Sequence, residues 1–438
     1  MSVVTIGTVT MALMLILILL GTHVGVALAL MSIVGIFMAT GSWDISLSIL
    51  HTTAFRAIRE YVYGVIPLFV LMGLFANLSG ASQEIYNAFH VLLRRIRGGL
   101  GMATVGANAL FATITGVSIA SAAVFSKISL KPMMDLNYNK RFALGTIAGS
   151  SVLGMLIPPS LLLIIYGMLA QTSIGDLFLA GIIPGILLSL VYCVGIYVMA
   201  RVKPSLVGGD TVQKYGKWTK EDMRTIVKPW GLVVLVLVVL GGIYGGFFTP
   251  TEAGGVGAFG ALLLVLAKKR FTLKGLWRVL VETGYTTASV LFLLVAAQMY
   301  SRMLSLSGLG NLVQDMVASI NVPGILIIFL FVGILLLLGM ILDSTSILLL
   351  TMPLMVPIVS AMGYDLIWFG IISVIATEMG LLTPPFGMVV FAMKSALGNQ
   401  VTLEELFRGS FPFLVMMFIT LLILIFIPDL VTFLPNLW

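Results

Sequence analysis

Two carboxylic acids, Asp343 and Glu378, lie within long apolar stretches of this 438-residue sequence. An acid in the middle of a membrane helix costs roughly 2.5 to 3.5 kcal/mol on insertion scales, so each requires a partner cation, a shared proton or access to water. Either carboxylate is therefore a candidate ligand for a small cation. Two structural roles stay open as alternatives: a helix cap for Asp343, and a hydrogen bond that braces a broken helix for Glu378.

Small hydroxyl residues and glycines cluster near these acids and, separately, in the first half of the chain. Side-chain oxygens and freed main-chain carbonyls are the ligands that a hard cation such as sodium prefers. Serine and threonine in membrane helices often hydrogen-bond to their own helix, so each residue alone is a weak candidate. The clustering predicts one group of sodium ligands in each half: Gly116, Ser118, Ser121, Ser150 and Gly154 in the first, and Asp343, Thr345, Ser346, Glu378, Gly380 and Thr383 in the second.

A Pro-Pro pair interrupts one apolar run in each half, at 158–159 and at 384–385. Proline removes a backbone hydrogen bond from a helix interior, and lipid offers no water to the freed carbonyl groups. Breaks at corresponding positions of two halves are the best sequence pointer to the binding site of an inverted-repeat transporter. Because half-helix N-termini attract anions, we expect substrate contacts near the breaks, from Ser118, Ser160, Ser344, Pro158 and Pro384.

The composition places these residues in a membrane protein. Hydrophobic residues make up 60% of the chain and charged residues only 9%, whereas soluble domains are about a quarter charged. The apolar runs approach the roughly 20 residues that a helix needs to cross a bilayer, which excludes a β-barrel. The net charge of +7 comes from lysines and arginines in short loops, a pattern that indicates membrane orientation rather than nucleic-acid binding.

The sequence has few residues that could bind a resident metal and no recognised catalytic motif. It has a single cysteine and only three scattered histidines, so no metal cluster is expected. Metalloprotease, hydrolase and nucleotide-binding motifs are absent from it. We therefore expect no catalytic residues and no cofactor, with sodium as a coupling ion only.

A basic segment, 203–229, divides the chain and is expected in the cytoplasm by the positive-inside rule. Residues 1–202 and 230–438 are predicted to be two repeats, each starting with scaffold helices. Each repeat also has a predicted surface helix, at 43–60 in the first and at 273–281 in the second.

A re-entrant hairpin is predicted in each repeat, at 98–126 and at 322–360. Basic residues flank the first hairpin on both sides, whereas none flank the second after Arg302, so the two should enter from opposite faces. Hairpins that enter the membrane from opposite faces are characteristic of an inverted repeat. The predicted fold is thus an all-α polytopic membrane protein, an inverted repeat with two re-entrant helical hairpins and two broken transmembrane helices, as in elevator-type ion transporters.

Three segments carry a resemblance to a known family. They are Phe-Thr-Pro-Thr-Glu-Ala at 248–253, Ile-Pro-Pro-Ser at 157–160 with Tyr166-Gly167, and Thr-Pro-Pro-Phe-Gly at 383–387. In combination the sequence resembles the large membrane subunit of tripartite ATP-independent periplasmic (TRAP) transporters. The resemblance implies uptake of a small organic acid such as a C4-dicarboxylate or sialic acid, driven by a sodium gradient and an elevator movement. It also implies a bacterial inner membrane location, a small four-helix membrane subunit and a soluble periplasmic substrate-binding protein.

Three other functions remain possible from the sequence. A self-sufficient sodium/dicarboxylate symporter has the same kind of inverted hairpin fold, and uptake without a binding protein would identify it. An ion channel would show currents that do not depend on solute. An intramembrane enzyme is the third alternative, although its usual paired catalytic groups are missing from the sequence.

Overall fold

The computed structural model describes residues 3–208, 218–309, 312 and 322–437. Within these ranges the regular structure is helical, apart from one isolated bridge between Tyr138 and Val207. Seven of the described helices are long and apolar enough to cross a membrane, or eight if one bent pair forms a single span. The prediction of an all-α polytopic membrane protein is confirmed.

The first half begins with scaffold helices and a shorter helix that leads into the hairpin. Ser42 caps the predicted surface helix, since its hydroxyl accepts a hydrogen bond from the backbone N–H of Ile45. That helix ends at Arg59, and the extended backbone of Glu60 leads into a 3-10 turn, Tyr61–Gly64. The helices of this part are Val3–Leu19, Val24–Thr40, Trp43–Arg59, Val65–Leu78 and the arm helix Ala81–Leu93.

Hairpin 1 consists of a first arm, Gly99–Thr115, and a second arm, Ser118–Asp135. The turn between the arms depends on Gly116, whose φ of +58° suits a residue without a Cβ atom. The predicted hairpin at 98–126 is confirmed, but its second arm extends further, to Asp135. The sequence-based boundary was too early because Lys127 and Lys131, interpreted as loop residues, occupy exposed positions on a continuing helix.

Broken helix 1 follows hairpin 1. It runs over Lys140–Leu156, bends by 41° at the Pro158-Pro159 pair and continues as Leu161–Ala170. The Pro158-Pro159 bond is cis, as is Pro384-Pro385 in the second half. A long helix, Ile174–Val202, closes this half.

The second half repeats this order after a short linker helix, Lys220–Val227. Its helices are the scaffold helices Trp230–Tyr244, Pro250–Ala267 and Leu273–Ser307, the hairpin 2 arms Gly324–Gly339 and Ser344–Ala361, the broken helix 2 segments Leu366–Gly380 and Met388–Leu397, and the closing helices Leu403–Phe426 and Asp429–Leu437.

The predicted surface helix at 273–281 is not a separate element in the structure. It forms the start of one continuous 35-residue helix, Leu273–Ser307. Gly284 follows the predicted surface helix and lies inside the continuous helix, with open space where a Cβ atom would be. Glycine lowers helix preference by about 1 kcal/mol but keeps its N–H donor, so it does not break a helix as proline does.

Each half packs its hairpin against the broken helix of the other half. The second arm of hairpin 1 packs against Met388–Leu397 of the other half, and the second arm of hairpin 2 packs against Leu161–Ala170. Scaffold helices instead pair with one another, Val65–Leu78 with Pro250–Ala267 and Val24–Thr40 with Leu273–Ser307. The fold therefore contains a hairpin group, made of the hairpins and the broken helices, and a scaffold group of paired helices.

Candidate functional site

Each hairpin tip is hydrogen-bonded to the backbone next to the Pro-Pro pair of its own half. The carbonyl of Gly116 accepts a hydrogen bond from the backbone N–H of Leu161 at 3.3 Å. The carbonyl of Met340 accepts hydrogen bonds from the N–H groups of Phe386 and Gly387 at 3.2 and 3.4 Å. In both halves the backbone just after the Pro-Pro pair therefore donates to a carbonyl at the hairpin tip.

Glu378 lies in the first segment of broken helix 2 and is fully buried. The Ser344 hydroxyl donates a 2.7 Å hydrogen bond to its Oε1 atom. Ser118, from hairpin 1 of the other half, lies next to the same carboxyl group. Neither Ser118 Oγ nor Glu378 Oε2 has a hydrogen-bond partner among the described residues. Two buried oxygens from opposite halves therefore lie next to each other without a hydrogen bond of ordinary geometry.

Ser118 and Ser344 are equivalent residues of the two repeats. Each is the first residue of an 18-residue second arm. The residue that corresponds to Asp343 is Val117, because each is the N-cap of its second arm. The two equivalent serines therefore approach one carboxylate, which only the second half supplies.

Asn108 joins the two arms of hairpin 1 to broken helix 1. Its Oδ1 atom accepts a 2.8 Å hydrogen bond from Ser121, and its Nδ2 atom donates a 2.6 Å bond to Ser150. Ser150 in turn donates to the carbonyl of Thr146, and all four residues are buried. Sequence reasoning named Ser121 and Ser150 but missed Asn108, although a lone amide inside an apolar arm is a signal for a buried polar contact.

Asp343 caps the second arm of hairpin 2. Its carboxylate accepts hydrogen bonds from the backbone N–H of Ser346, at 3.1 Å, and from the Ser346 hydroxyl. The geometry is that of an N-cap, the alternative that the sequence left open. Thr345 lies beside this cap and is buried.

The remaining predicted residues line the two breaks. Ser160 caps the segment after break 1 by accepting from the N–H of Leu163, and it donates to the carbonyl of Met155. Thr383 donates to the carbonyl of Met379 on its own helix. Pro158 is buried whereas Pro384 is exposed, so the two breaks differ in their access to solvent or lipid.

Two glycines allow the helices of the site to approach closely. A Cβ atom at Gly154 would lie 3.3 Å from the backbone N of Ser118. A Cβ atom at Gly380 would lie only 2.5 Å from the Cα of Gly339 in hairpin 2. Their role in the structure is therefore to bring the hairpins against the broken helices.

Tyr192 is a further residue that the sequence analysis did not identify. Its phenol group is fully buried, has no hydrogen-bond partner among the described residues and lies within electrostatic range of Glu378. It comes from the long helix that closes the first half. Because tyrosines are common on apolar helix faces, its spacing in the sequence carried no signal.

The chain matches one protein-family model over residues 11–430, the model of "Tripartite ATP-independent periplasmic transporter, DctM component". This range contains both hairpins and both broken helices. The match therefore extends over the whole site described above.

Several characterised proteins are similar to this chain over most of their length. The C4-dicarboxylate TRAP transporter large permease protein DctM of Pseudomonas aeruginosa is 32% identical over 383 residues, which cover 87% of this chain and 88% of the relative. The sialic acid TRAP transporter large permease protein SiaM of Vibrio cholerae is 32% identical, with coverage of 87% and 88%. The 2,3-diketo-L-gulonate TRAP transporter large permease protein YiaN of Escherichia coli is 32% identical, with coverage of 85% and 86%.

Among solved structures, the Alcanivorax borkumensis YdaH transporter, whose crystal structure is described as having an unusual topology, has a similar fold. The TM-score is 0.58 at 16% sequence identity, over 90% of each chain. At this identity the similarity concerns the fold alone.

Proposed function

Because this chain belongs to the DctM component family of the tripartite ATP-independent periplasmic transporters, we propose that it takes up a small organic acid using a sodium gradient. The chain is a large permease subunit, a multi-pass protein of the inner membrane and not an enzyme. We propose sodium as its coupling ion, uptake as the direction of transport and a small organic acid as the solute.

The observation that carries the sodium proposal is the buried Glu378 carboxylate. No lysine or arginine among the described residues forms an ion pair with it, and Glu378 Oε2 and Ser118 Oγ are both unpartnered. A buried charge without a partner is costly, so an incoming cation that neutralises it is favoured. Carboxylate and hydroxyl oxygens suit sodium in particular.

The solute is proposed to be a small carboxylic acid. The three relatives described above are named for C4-dicarboxylates, sialic acid and 2,3-diketo-L-gulonate, which share a carboxylate group. The segments that follow the two breaks, with Ser160 as a cap on the first, supply half-helix N-termini that favour an anion. This chain is equally similar to the three relatives, so a panel of carboxylates is the appropriate test.

Two partners are proposed with it: a small membrane subunit and a soluble periplasmic protein that delivers the acid. The family's description as tripartite and periplasmic supports both. We also propose an elevator movement of the hairpin group against the scaffold group. It is supported by the reciprocal packing of hairpins on the opposite broken helices and by the separate pairing of the scaffold helices.

Reconstituted uptake tests this proposal. The permease and its small subunit are placed in proteoliposomes, and uptake of radiolabelled carboxylates is measured with and without the binding protein, under a sodium or a potassium gradient. We expect uptake only with the binding protein and only with sodium outside. Full uptake without the binding protein would support the self-sufficient symporter, and full uptake in potassium with a proton gradient would exclude sodium coupling.

A further inference from the structure

The arm helix Ala81–Leu93 has a buried acid where it joins the scaffold. Glu84 lies in its first turn and is only 8% exposed. Its carboxylate accepts a hydrogen bond from Lys268, the residue that directly follows the scaffold helix Pro250–Ala267. A second lysine, Lys228, lies 3.9 Å from the other carboxylate oxygen, and its side chain is 65% exposed. Glu84 therefore has one close cationic partner in the scaffold and one weaker partner in the linker.

The arm helix packs closely against hairpin 1. Ile85 and Tyr86 are buried, and a Cβ atom at Gly106 of the first arm would lie 2.6 Å from the ring of Phe89. Separating these surfaces would expose apolar side chains, which costs more free energy than opening an ion pair at the protein surface. The arm helix should therefore move together with hairpin 1.

The linker helix Lys220–Val227 also packs against the arm helix. Arg94, at the end of the arm helix, forms an ion pair with Asp222 of the linker helix at 2.6 Å. Lys228 directly follows the linker helix. Because the packing and the ion pair join the two helices, we expect Lys228 to stay near Glu84 when the arm helix moves.

Gly80 is the joint between the scaffold helix Val65–Leu78 and the arm helix. Its φ of +75° lies in the left-handed region that glycine adopts without strain. The guanidinium group of Arg270 occupies the space next to it, since a Cβ atom at Gly80 would lie 1.8 Å from Arg270 Nη1. Glu84 follows Gly80 by about one helical turn, so its pair with Lys268 spans the joint. A rotation at Gly80 would separate these two charges.

We propose that Glu84 is a positioning residue that exchanges partners during transport. It pairs with Lys268 in the position of the hairpin group seen here, and with Lys228 after the arm helix has moved. The exchange rests on the proposed elevator movement. A buried carboxylate that loses its only cation is strongly destabilised, whereas a lysine that moves with the arm helix keeps the charge compensated. The two lysines therefore set the relative populations of the two positions.

Distances between spin labels on the hairpin group and the scaffold group test this exchange. The labels are attached to Gln171→Cys and Phe247→Cys in a background without the natural cysteine, Cys193→Ala. Both positions are exposed, and Gln171 lines a cleft together with Phe248, the neighbour of Phe247. Phe247 lies before the 18-residue helix that Lys268 follows, about 27 Å away along the helix axis, so the labels do not disturb the ion pair.

We expect the labelled parent, purified with its small subunit and measured with and without sodium, to show two separations. Lys268→Gln should lower the share of the separation seen in this structure, changing the ratio of the two at least about fivefold, or about 1 kcal/mol. Lys228→Gln should change the ratio in the opposite direction, because it removes the partner of the other position. Lys269→Gln is the matched control and should leave the ratio unchanged, since Lys269 is exposed and forms no ion pair among the described residues.

Two outcomes would overturn the proposal. If the parent shows two separations but Lys268→Gln and Lys228→Gln leave their ratio unchanged, or change it in the same direction, the lysines do not exchange at Glu84. A single separation in the parent under both conditions would overturn the elevator movement itself, and the exchange with it. Thermal unfolding shows whether each variant is folded, and Lys228→Gln, which changes an exposed side chain, gives its own result should Lys268→Gln not fold.

Discussion

Asp343 and Glu378 differ in how many of their carboxylate oxygens accept hydrogen bonds. Both carboxylate oxygens of Asp343 accept hydrogen bonds from Ser346, whereas Glu378 receives one bond, from Ser344, and keeps its second oxygen unpartnered among the described residues. A carboxylate that is engaged in capping has less capacity to hold a cation. At the residue scale, Glu378 is therefore the stronger candidate for the sodium ligand.

Asp343 provides the first prediction. We expect Asp343→Asn to keep the sodium concentration for half-maximal uptake within about twofold of the parent, because asparagine caps a helix nearly as well as aspartate. Asp343→Ala loses the cap and should lower the free energy of unfolding by about 1 kcal/mol. Sodium-dependent uptake and thermal unfolding in detergent measure the two effects. A rise of tenfold or more for Asp343→Asn would instead make this carboxylate a sodium ligand.

Several site residues could be predicted from the sequence, and the reasons are local. Glu378 stands out because a buried acid in a membrane helix is expensive, and Ser118 and Ser344 stand out as small hydroxyls at hairpin tips. Their convergence on one carboxylate could not be predicted, because it depends on packing between residues from opposite halves. Asn108 was missed because its partners, Ser121 and Ser150, become neighbours only in the folded hairpin group.

At the scale of elements, hairpin 2 and broken helix 2 are held together by backbone contact. The Cα atoms of Gly339 and Gly380 approach so closely that a Cβ atom at Gly380 would lie 2.5 Å from Gly339 Cα and 2.7 Å from the carbonyl oxygen of Leu336. Neither is a flexible side chain that could move aside. A methyl group at Gly380 must therefore separate the two helices next to Glu378.

The second prediction follows from this contact. Gly380→Ala should destabilise the protein by about 1–3 kcal/mol, the usual cost of overpacking, and should weaken sodium-dependent uptake. Gly333→Ala in the first arm of hairpin 2 is the matched control, because nothing lies within 4 Å of a Cβ atom there. It should be neutral or slightly stabilising, since alanine favours helix over glycine. Thermal unfolding of both variants measures the difference. Equal stability of Gly380→Ala and Gly333→Ala would show that hairpin 2 adapts to the methyl group and would contradict the prediction.

The accuracy of the element boundaries depended on how each element ends. Hairpin 2, predicted at 322–360, begins at Gly324 directly after Pro323 and ends at Ala361. The second arm of hairpin 1 and the helix Leu273–Ser307 were longer than expected. Lys127 follows the first predicted end and Gly284 lies three residues beyond the second, and neither a charged side chain nor a glycine prevents helical hydrogen bonding.

At the scale of the whole molecule, the reciprocal packing of the two halves has a consequence for topology. If the repeats are inverted, hairpin 1 opens to the cytoplasm and hairpin 2 to the opposite side. The third prediction is that Arg97→Cys and Lys127→Cys, in the Cys193→Ala background, react with an impermeant thiol reagent only from the cytoplasmic side. Val322→Cys and Ser360→Cys should react only from the other side. Labelling of Arg97→Cys and Lys127→Cys from opposite sides would contradict both the re-entrant hairpin and the inverted repeat.

The central claim is that both halves build one cation site around Glu378, and sodium binding to the purified permease tests it most directly. Glu378→Gln keeps the size of the side chain and an oxygen for the Ser344 hydroxyl, but removes the charge. We predict that it raises the dissociation constant for radiolabelled sodium at least about tenfold, a loss of about 1.4 kcal/mol. Ser118→Ala should also weaken binding, because it removes the oxygen that the first half contributes.

Glu404→Gln is the control, because it changes an exposed acid paired with Arg408, and it should bind sodium as the parent does. Unchanged sodium binding by folded Glu378→Gln would contradict the account.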